Sequence, residues 1–117
     1  MLNYVKYACN DYNYADVMSK DLDEYLEDNN LNLFNLDYTE CEDIAYELSG
    51  IGSGSYTFNT TEAALCLANN YPYVHYLMNK NIISPQRYAE DPEFCDCIVR
   101  YYVTLEIVNS RLEEHSR

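Results

Sequence analysis

The sequence predicts a mainly α-helical protein: a compact helical bundle around a long C-terminal helix, with room for one small β-hairpin (an α+β variant). Three observations predict this fold. Apolar residues recur at helical spacing in several segments, helix-starting signals precede most of those segments, and all three glycines lie together within residues 50–54. A chain of 117 residues has the size of one ordinary domain, so we expect a single domain over residues 1–117.

The long helix is predicted over residues 92–114. Asp91 can accept hydrogen bonds from the free N–H groups of the first turn, and Pro92 suits the first helical position because it has no N–H group. Either this is the core helix of one bundle, or it forms a coiled-coil seam between two copies. The apolar face consists of residues at alternating steps of four and three: Phe94, Ile98, Tyr101, Leu105, Val108 and Leu112.

Shorter helices are predicted over most of the remaining chain. Thr39 and Glu42 have capping-box spacing at the start of the helix predicted over residues 40–49, and Gly50 suits the position after the end of that helix. Residues 31–36 fit either a strand or a loop anchored in the core, and residues 56–58 have strand character. The helical segments are residues 2–9, 14–28, 40–49 and 61–70, a helix beginning at residue 72, and a short turn over 84–89.

Two segments in the second half of the chain carry specific predictions about burial. We expect Ile82 and Ile83 to be buried between helices. In the helix over residues 61–70, we expect the inward face to consist of Ala64, Leu65, Leu67 and Ala68.

Charge is the most unusual property of the chain. Twenty acidic side chains against seven basic ones give a net charge of −13. Residues 1–60 hold 12 of the acids and two of the bases, a net charge of −10. Such a chain repels nucleic acid and anionic membranes and attracts basic proteins. No apolar run approaches the ~18 residues of a membrane span, and no secretory signal is present at the N-terminus, so we expect a cytoplasmic protein.

The residue types that catalyse reactions or bind metals are few and badly spaced. His75 and His115 have no obvious catalytic partner, and the 50–54 loop lacks the Lys of a phosphate-binding loop. Five cysteines contain no Cys-x-x-Cys, and Cys95 and Cys97 point to opposite sides of a helix, which favours reduced, buried thiols. We therefore predict a protein that is not an enzyme, with no catalytic residue, metal site or cofactor.

The acidic helix over residues 14–28 is the strongest candidate site. Its six carboxylates span roughly 18 Å, about one per 3 Å, which is close to the roughly 3.4 Å per phosphate of one DNA strand. A run of charge usually marks a solvated helix face, but a field of one sign also suggests a basic partner. Tyrosines, 14 against three phenylalanines, suit a protein interface. The candidate partner-binding residues are Asp16, Asp21, Asp23, Glu24, Tyr25, Glu27, Asp28, Glu40, Glu42, Asp43, Glu47 and Tyr56.

Two stretches of the chain resemble small acidic proteins of phages and mobile elements. They are LEDNN at residues 26–30 and ELSGIGSGSYTFNT at residues 47–60, and the likeness covers roughly residues 10–70. It implies no catalytic residue. In size, charge and tyrosine content the chain is also similar to anti-CRISPR proteins as a class, several of which block a Cas nuclease by occupying its DNA-binding surface.

These observations lead to one principal functional hypothesis and one alternative. The principal hypothesis is a small acidic phage-type inhibitor that binds the basic nucleic-acid-binding surface of a host defence nuclease and competes with DNA. A CRISPR effector, with Cas9 as the leading candidate, is the expected partner in an infected or lysogenic cell; direct binding to nucleic acid or membrane is not expected. The alternative is a non-enzymatic structural or regulatory interaction module that oligomerises, for example as a homodimer, through its long C-terminal helix.

Overall fold

Helices account for the regular structure of the described chain. The computed structural model describes residues 13–51 and 60–116, and it contains no strand within them. This confirms a mainly α-helical bundle, whereas the helix predicted over residues 2–9, the hairpin predicted around residues 56–58 and the candidate Tyr56 lie outside the described residues. The helices are α1 (Tyr14–Asp28), α2 (Tyr38–Ser49), α3 (Thr60–Asn69), α4 (Tyr71–Asn79), α5 (Pro85–Glu90) and α6 (Pro92–His115), with a 3-10 turn (Leu33–Asn35) between α1 and α2.

The long helix α6 is the centre of the bundle, as predicted. It begins where the sequence indicated: Asp91 Oδ1 accepts a hydrogen bond from the Phe94 N–H at 3.2 Å, and Pro92 occupies the first turn. Helices α1, α2, α3 and α5 and the 3-10 turn all pack against it. The core that they enclose combines residues of α1, α2, α3, α4 and α6, among them Tyr14, Met18, Leu22, Cys41, Ile44, Leu67, Tyr73, Val74, Leu77, Val99 and Val103.

The most buried side of α6 differs from the predicted seam. Of the six seam residues only Val108 is buried, and the other five are partly exposed. A different apolar row, at steps of four, is buried along its whole length: Cys95, Val99, Val103 and Ile107. Because neighbouring helices pack around α6 from several directions, its buried surface is wider than one seam.

Helix α2 begins two residues earlier than predicted, and a different residue caps it. Asp37 Oδ1 accepts from the Glu40 N–H at 2.8 Å, while Glu40 Oε1 accepts from the Asp37 N–H at 3.1 Å. This is a capping box, and the Thr39–Glu42 pair, which has the same spacing, does not form it. Gly50 ends the helix with φ of 84°, the left-handed conformation that was predicted for it.

The inward face of α3 was predicted wrongly except for Leu67. Ala63, Cys66 and Leu67 are buried, whereas Leu65 is 59% exposed and both Ala64 and Ala68 are exposed. Apolar residues recur at helical spacing on several faces of this short helix, and the packing of α3 against α6 decides which face is buried.

The connection between α4 and α5 has one buried and one exposed isoleucine. Ile83 is buried, as predicted, but Ile82 is 36% exposed. The short turn that follows begins as predicted, because the Ser84 Oγ accepts from the Arg87 N–H at 3.0 Å and Pro85 occupies the first helical position.

A buried polar cluster connects α1 to α6. The Tyr14 hydroxyl donates a hydrogen bond to the Asp96 carboxylate, and Arg100 Nε donates to Asp96 Oδ2 at 3.0 Å. All three side chains are buried. Burial raises the pKa of Asp96, while Arg100 and the Tyr14 hydroxyl oppose that shift because they stabilise the carboxylate. No pattern in the sequence had indicated this cluster.

Candidate functional site

Helices α1 and α2 together form an open depression lined with carboxylates, which we call the acidic depression. Asp21, Glu24 and Asp28 contribute from α1, at spacings that place them on one side of the helix. Tyr25 of α1 and Leu48 of α2 complete its lining, and its volume is about 210 Å³. Three of the predicted acids and the predicted Tyr25 are therefore brought together at one place.

Tyr25 links this surface to a further predicted acid, Glu47 of α2. A hydrogen bond between the Tyr25 side chain and Glu47 raises the pKa of Tyr25, with smaller contributions from burial and from the charge of Glu47. Glu47 itself is exposed, so the negative surface continues from α1 onto α2. Within residues 13–51, 11 acidic side chains face a single basic one, Lys20, and the field at this surface is almost entirely of one sign.

The remaining acids of α1 do not line the depression. Asp23 lies on another side of the helix, where Arg111 Nη1 of α6 donates to its Oδ1 at 2.7 Å. Asp16 and Glu27 are exposed but are absent from the lining. The three acids of the depression therefore follow one another at roughly 4.5 and 6 Å along the helix axis. This spacing is wider than the roughly 3.4 Å per phosphate of a DNA strand. The carboxylates of α1 therefore match the phosphate spacing only when the acids on all sides of the helix are counted.

The predicted acids of α2 take three different positions. The Glu40 carboxylate is used in the capping box described above. Glu47 borders the acidic depression through Tyr25. Glu42 and Asp43 lie near Tyr101 of α6, where their charges contribute to raising the pKa of Tyr101 after the larger effect of burial.

Tyrosines that were not among the candidates accompany Glu42 and Asp43. The Tyr46 and Tyr101 rings meet edge to face with centroids 6.5 Å apart, and Tyr101 and Tyr102 are perpendicular at 5.1 Å. A signal was present in the sequence: Tyr38, Glu42 and Tyr46 are spaced four residues apart, which places them on one side of α2. We call the four tyrosines at this α2–α6 boundary, Tyr38, Tyr46, Tyr101 and Tyr102, the aromatic edge.

The described residues contain no group of three His, Cys, Asp or Glu side chains close enough to hold a metal ion. His75 Nδ1 lies 3.5 Å from Asn79 Nδ2, and the His115 ring stacks on Phe34 with centroids 3.7 Å apart. The described cysteines are buried free thiols, and burial raises the pKa of Cys95 and of Cys97 to about 11. Thiols of this kind are protonated at neutral pH and react slowly.

No protein-family model, curated protein or solved structure matched the chain. The resemblance to phage and anti-CRISPR proteins therefore stays a prediction. None of the described helices has the length and apolar character needed to cross a membrane.

Proposed function

We propose that the chain is a small acidic inhibitor of phage type, without enzymatic activity, that binds the basic nucleic-acid-binding surface of a host defence nuclease and competes with DNA. A CRISPR effector, with Cas9 as the leading candidate, is the proposed partner, in the cytoplasm of an infected or lysogenic cell. The observation that carries the proposal is the acidic depression, which Asp21, Glu24 and Asp28 line together beside Glu47.

The free protein bears an electrostatic cost that a basic partner would remove. Glu24 and Asp28 are four residues apart on α1, and like charges at this spacing destabilise a helix by about 0.2–0.5 kcal/mol per pair. No Lys or Arg of the described residues forms an ion pair with Asp21, Glu24 or Asp28. A groove of Lys and Arg side chains, built to bind phosphates, would supply the missing opposite charges.

Competition with DNA requires overlapping surfaces and opposite charge, and it does not require phosphate spacing. The carboxylates of the acidic depression are more widely spaced than phosphates along a DNA strand, so the proposed inhibitor follows the sign of the DNA charge and not its geometry. Such binding weakens with salt, because exposed charges are screened over about 8 Å at physiological ionic strength. Tyr25 and Leu48 would add apolar contact area between the charges.

The proposal is tested by DNA cleavage with a panel of guide-loaded CRISPR nucleases, with and without the protein, at about 50 mM and about 200 mM salt. We expect inhibition of one nuclease, and we expect it to fade at the higher salt concentration. Inhibition that is indifferent to salt, or no inhibition of any nuclease in the panel, would overturn the proposed mechanism of charge competition with a CRISPR effector.

A matched pair of variants separates local charge from net charge. The test variant carries Asp21→Asn, Glu24→Gln and Asp28→Asn in the acidic depression. The control carries Glu90→Gln, Glu106→Gln and Glu114→Gln, three acids of α5 and α6, and it changes the net charge equally. We expect the test variant to lose inhibition at least about tenfold, or about 1.4 kcal/mol, and the control to retain it. Asp23 is left unchanged because it pairs with Arg111.

A further inference from the structure

The aromatic edge lies at the boundary of α2 and α6, and its outer rings are open to solvent. Tyr46 is 48% exposed and Tyr38 is 44% exposed. The edge-to-face contact with Tyr101, which in turn meets Tyr102 at a right angle, supports the Tyr46 ring from the α6 side. An aromatic ring that is held in place from one side and exposed on the other is suited to stack with a flat group of a partner.

Carboxylates stand beside these rings. Glu42 lies between Tyr38 and Tyr46 on the same side of α2, and Asp43 follows it. Both are near enough to Tyr101 for their charges to act on its hydroxyl. Within residues 13–51 and 60–116, no Lys, Arg or His forms an ion pair with Glu42 or Asp43.

The group that fits this combination is the guanidinium of arginine. It is planar and stacks on aromatic faces, and its N–H donors match the two oxygens of a carboxylate. Lysine carries the same charge as a compact ammonium on a flexible stem, so it gains less from a ring face.

The protein contains this arrangement elsewhere within its own fold. Arg87 of α5 lies with its Cζ 3.9 Å from the Phe94 ring centroid, and its Nη2 is 3.3 Å from Asp91 Oδ2. One arginine there satisfies an aromatic ring and a carboxylate at once. The aromatic edge presents the same two chemical groups, Tyr46 with Glu42, with no described arginine between them.

We propose that the aromatic edge, with Glu42 and Asp43, binds an arginine side chain of the basic partner. This inference rests on the proposed function and specifies it further: the acidic depression attracts positive charge of any kind, while the aromatic edge selects arginine over lysine. Because α2 contributes residues to both surfaces, one partner groove would contact both.

The test compares two peptides of about eight residues, one of arginine and one of lysine, which carry equal charge. Binding to the full chain is measured by isothermal titration calorimetry at fixed salt. We expect the arginine peptide to bind about fivefold more tightly, as a cation–π contact at an exposed site would give. Tyr46→Ala should remove this preference and leave the affinity for the lysine peptide unchanged, whereas Tyr46→Phe, which keeps the ring, should retain the preference.

Tyr71 provides the matched control for the loss of an exposed ring. It is 43% exposed and belongs to α4, which contributes no residue to the aromatic edge, so Tyr71→Ala should keep the preference for arginine. Equal binding of the two peptides to the unaltered protein, or a preference for arginine that survives Tyr46→Ala, would overturn the inference. The proposed function would still be supported in that case if binding of the peptides weakened with salt. If neither peptide binds, the acidic surface has no affinity for basic chains, and both proposals fail together.

Discussion

The hydroxyl of Tyr14, the first residue of α1, donates a hydrogen bond to the carboxylate of Asp96 near the start of α6. The two residues are 82 positions apart in the chain. Arg100, one turn further along α6, donates to the other oxygen of the same carboxylate. A buried hydrogen bond requires a defined distance and direction, so this contact fixes how α1 lies on α6. It thereby helps to set which side of α1 carries the acidic depression towards solvent.

Removing the Tyr14 hydroxyl tests how much this contact stabilises the fold. Tyr14→Phe keeps the ring in the core but leaves one oxygen of the buried Asp96 carboxylate without its donor, and we expect a loss of about 1–3 kcal/mol in the free energy of unfolding. Urea denaturation followed by circular dichroism measures it. Tyr71→Phe on the exposed face of α4 is the control and should change stability by less than about 0.5 kcal/mol. Equal stability of the two variants would show that the Tyr14 hydroxyl contributes nothing.

The same cluster gives a prediction about pH. Burial raises the pKa of Asp96 in the folded protein, so the folded protein binds a proton at Asp96 more readily than the unfolded chain does. The stability that comes from this proton is fully present below the unfolded pKa of about 3.9 and is lost as the pH rises through the raised folded value. We therefore expect Asp96 to make the protein less stable at pH 7 than under mildly acidic conditions.

The variant Tyr14→Phe isolates this effect from the other carboxylates. The Tyr14 hydroxyl stabilises the charged form of Asp96 more than the neutral form, because hydrogen bonds to ionised groups are the stronger ones. Its removal should therefore cost more at pH 7 than at about pH 4, which unfolding curves of both proteins at the two pH values would reveal. The same cost at both pH values would mean that Asp96 does not change its charge between them.

Local signals in the sequence were sufficient for the ends of several helices. Two asparagines follow α1, as helix-ending residues often do: Asn29 Nδ2 donates to the Tyr25 carbonyl at 2.8 Å, and Asn30 adopts a positive φ of 53°. Asp91 and Pro92 start α6 as expected. These features depend on neighbouring residues in the chain, and hydrogen bonding at a helix end is decided within about four positions.

Tertiary packing decided what local patterns left open. The spacing of acids on α1 did not reveal that Asp23 meets Arg111 of α6 while Asp28 lines the depression with Leu48 of α2. Nor did it reveal that Asp96 and Arg100, both charged, are buried. Periodicity assigns charged residues to the solvent side, whereas the contacts with Tyr14 and Arg100 explain why Asp96 is an exception.

The start of α2 offers a direct test of two competing capping patterns. Asp37→Ala removes the side chain that accepts from the Glu40 N–H, and we expect it to lower the free energy of unfolding by about 0.5–2 kcal/mol. Thr39→Ala removes the residue that the sequence pattern suggested, which is exposed and makes no capping bond, so its effect should stay within about 0.5 kcal/mol. Thermal unfolding of the two variants decides between the patterns. A larger loss for Thr39→Ala would place the cap where the sequence alone had suggested.

Helix α6 determines the expected oligomeric state. Between Pro92 and Leu112 only Asn109 is more than partly exposed, because the apolar side chains of the helix pack against other helices of the same chain. Two copies would therefore have little apolar surface of α6 to bury, although a coiled-coil seam needs a continuous apolar row. We expect light scattering to give the mass of one chain, 13.7 kDa, at both about 10 µM and about 100 µM. A mass of two chains that Leu105→Glu reduces to one, and that Leu65→Glu leaves unchanged, would show that the α6 seam is an interface. Leu65 is the control because it is an exposed apolar residue of α3.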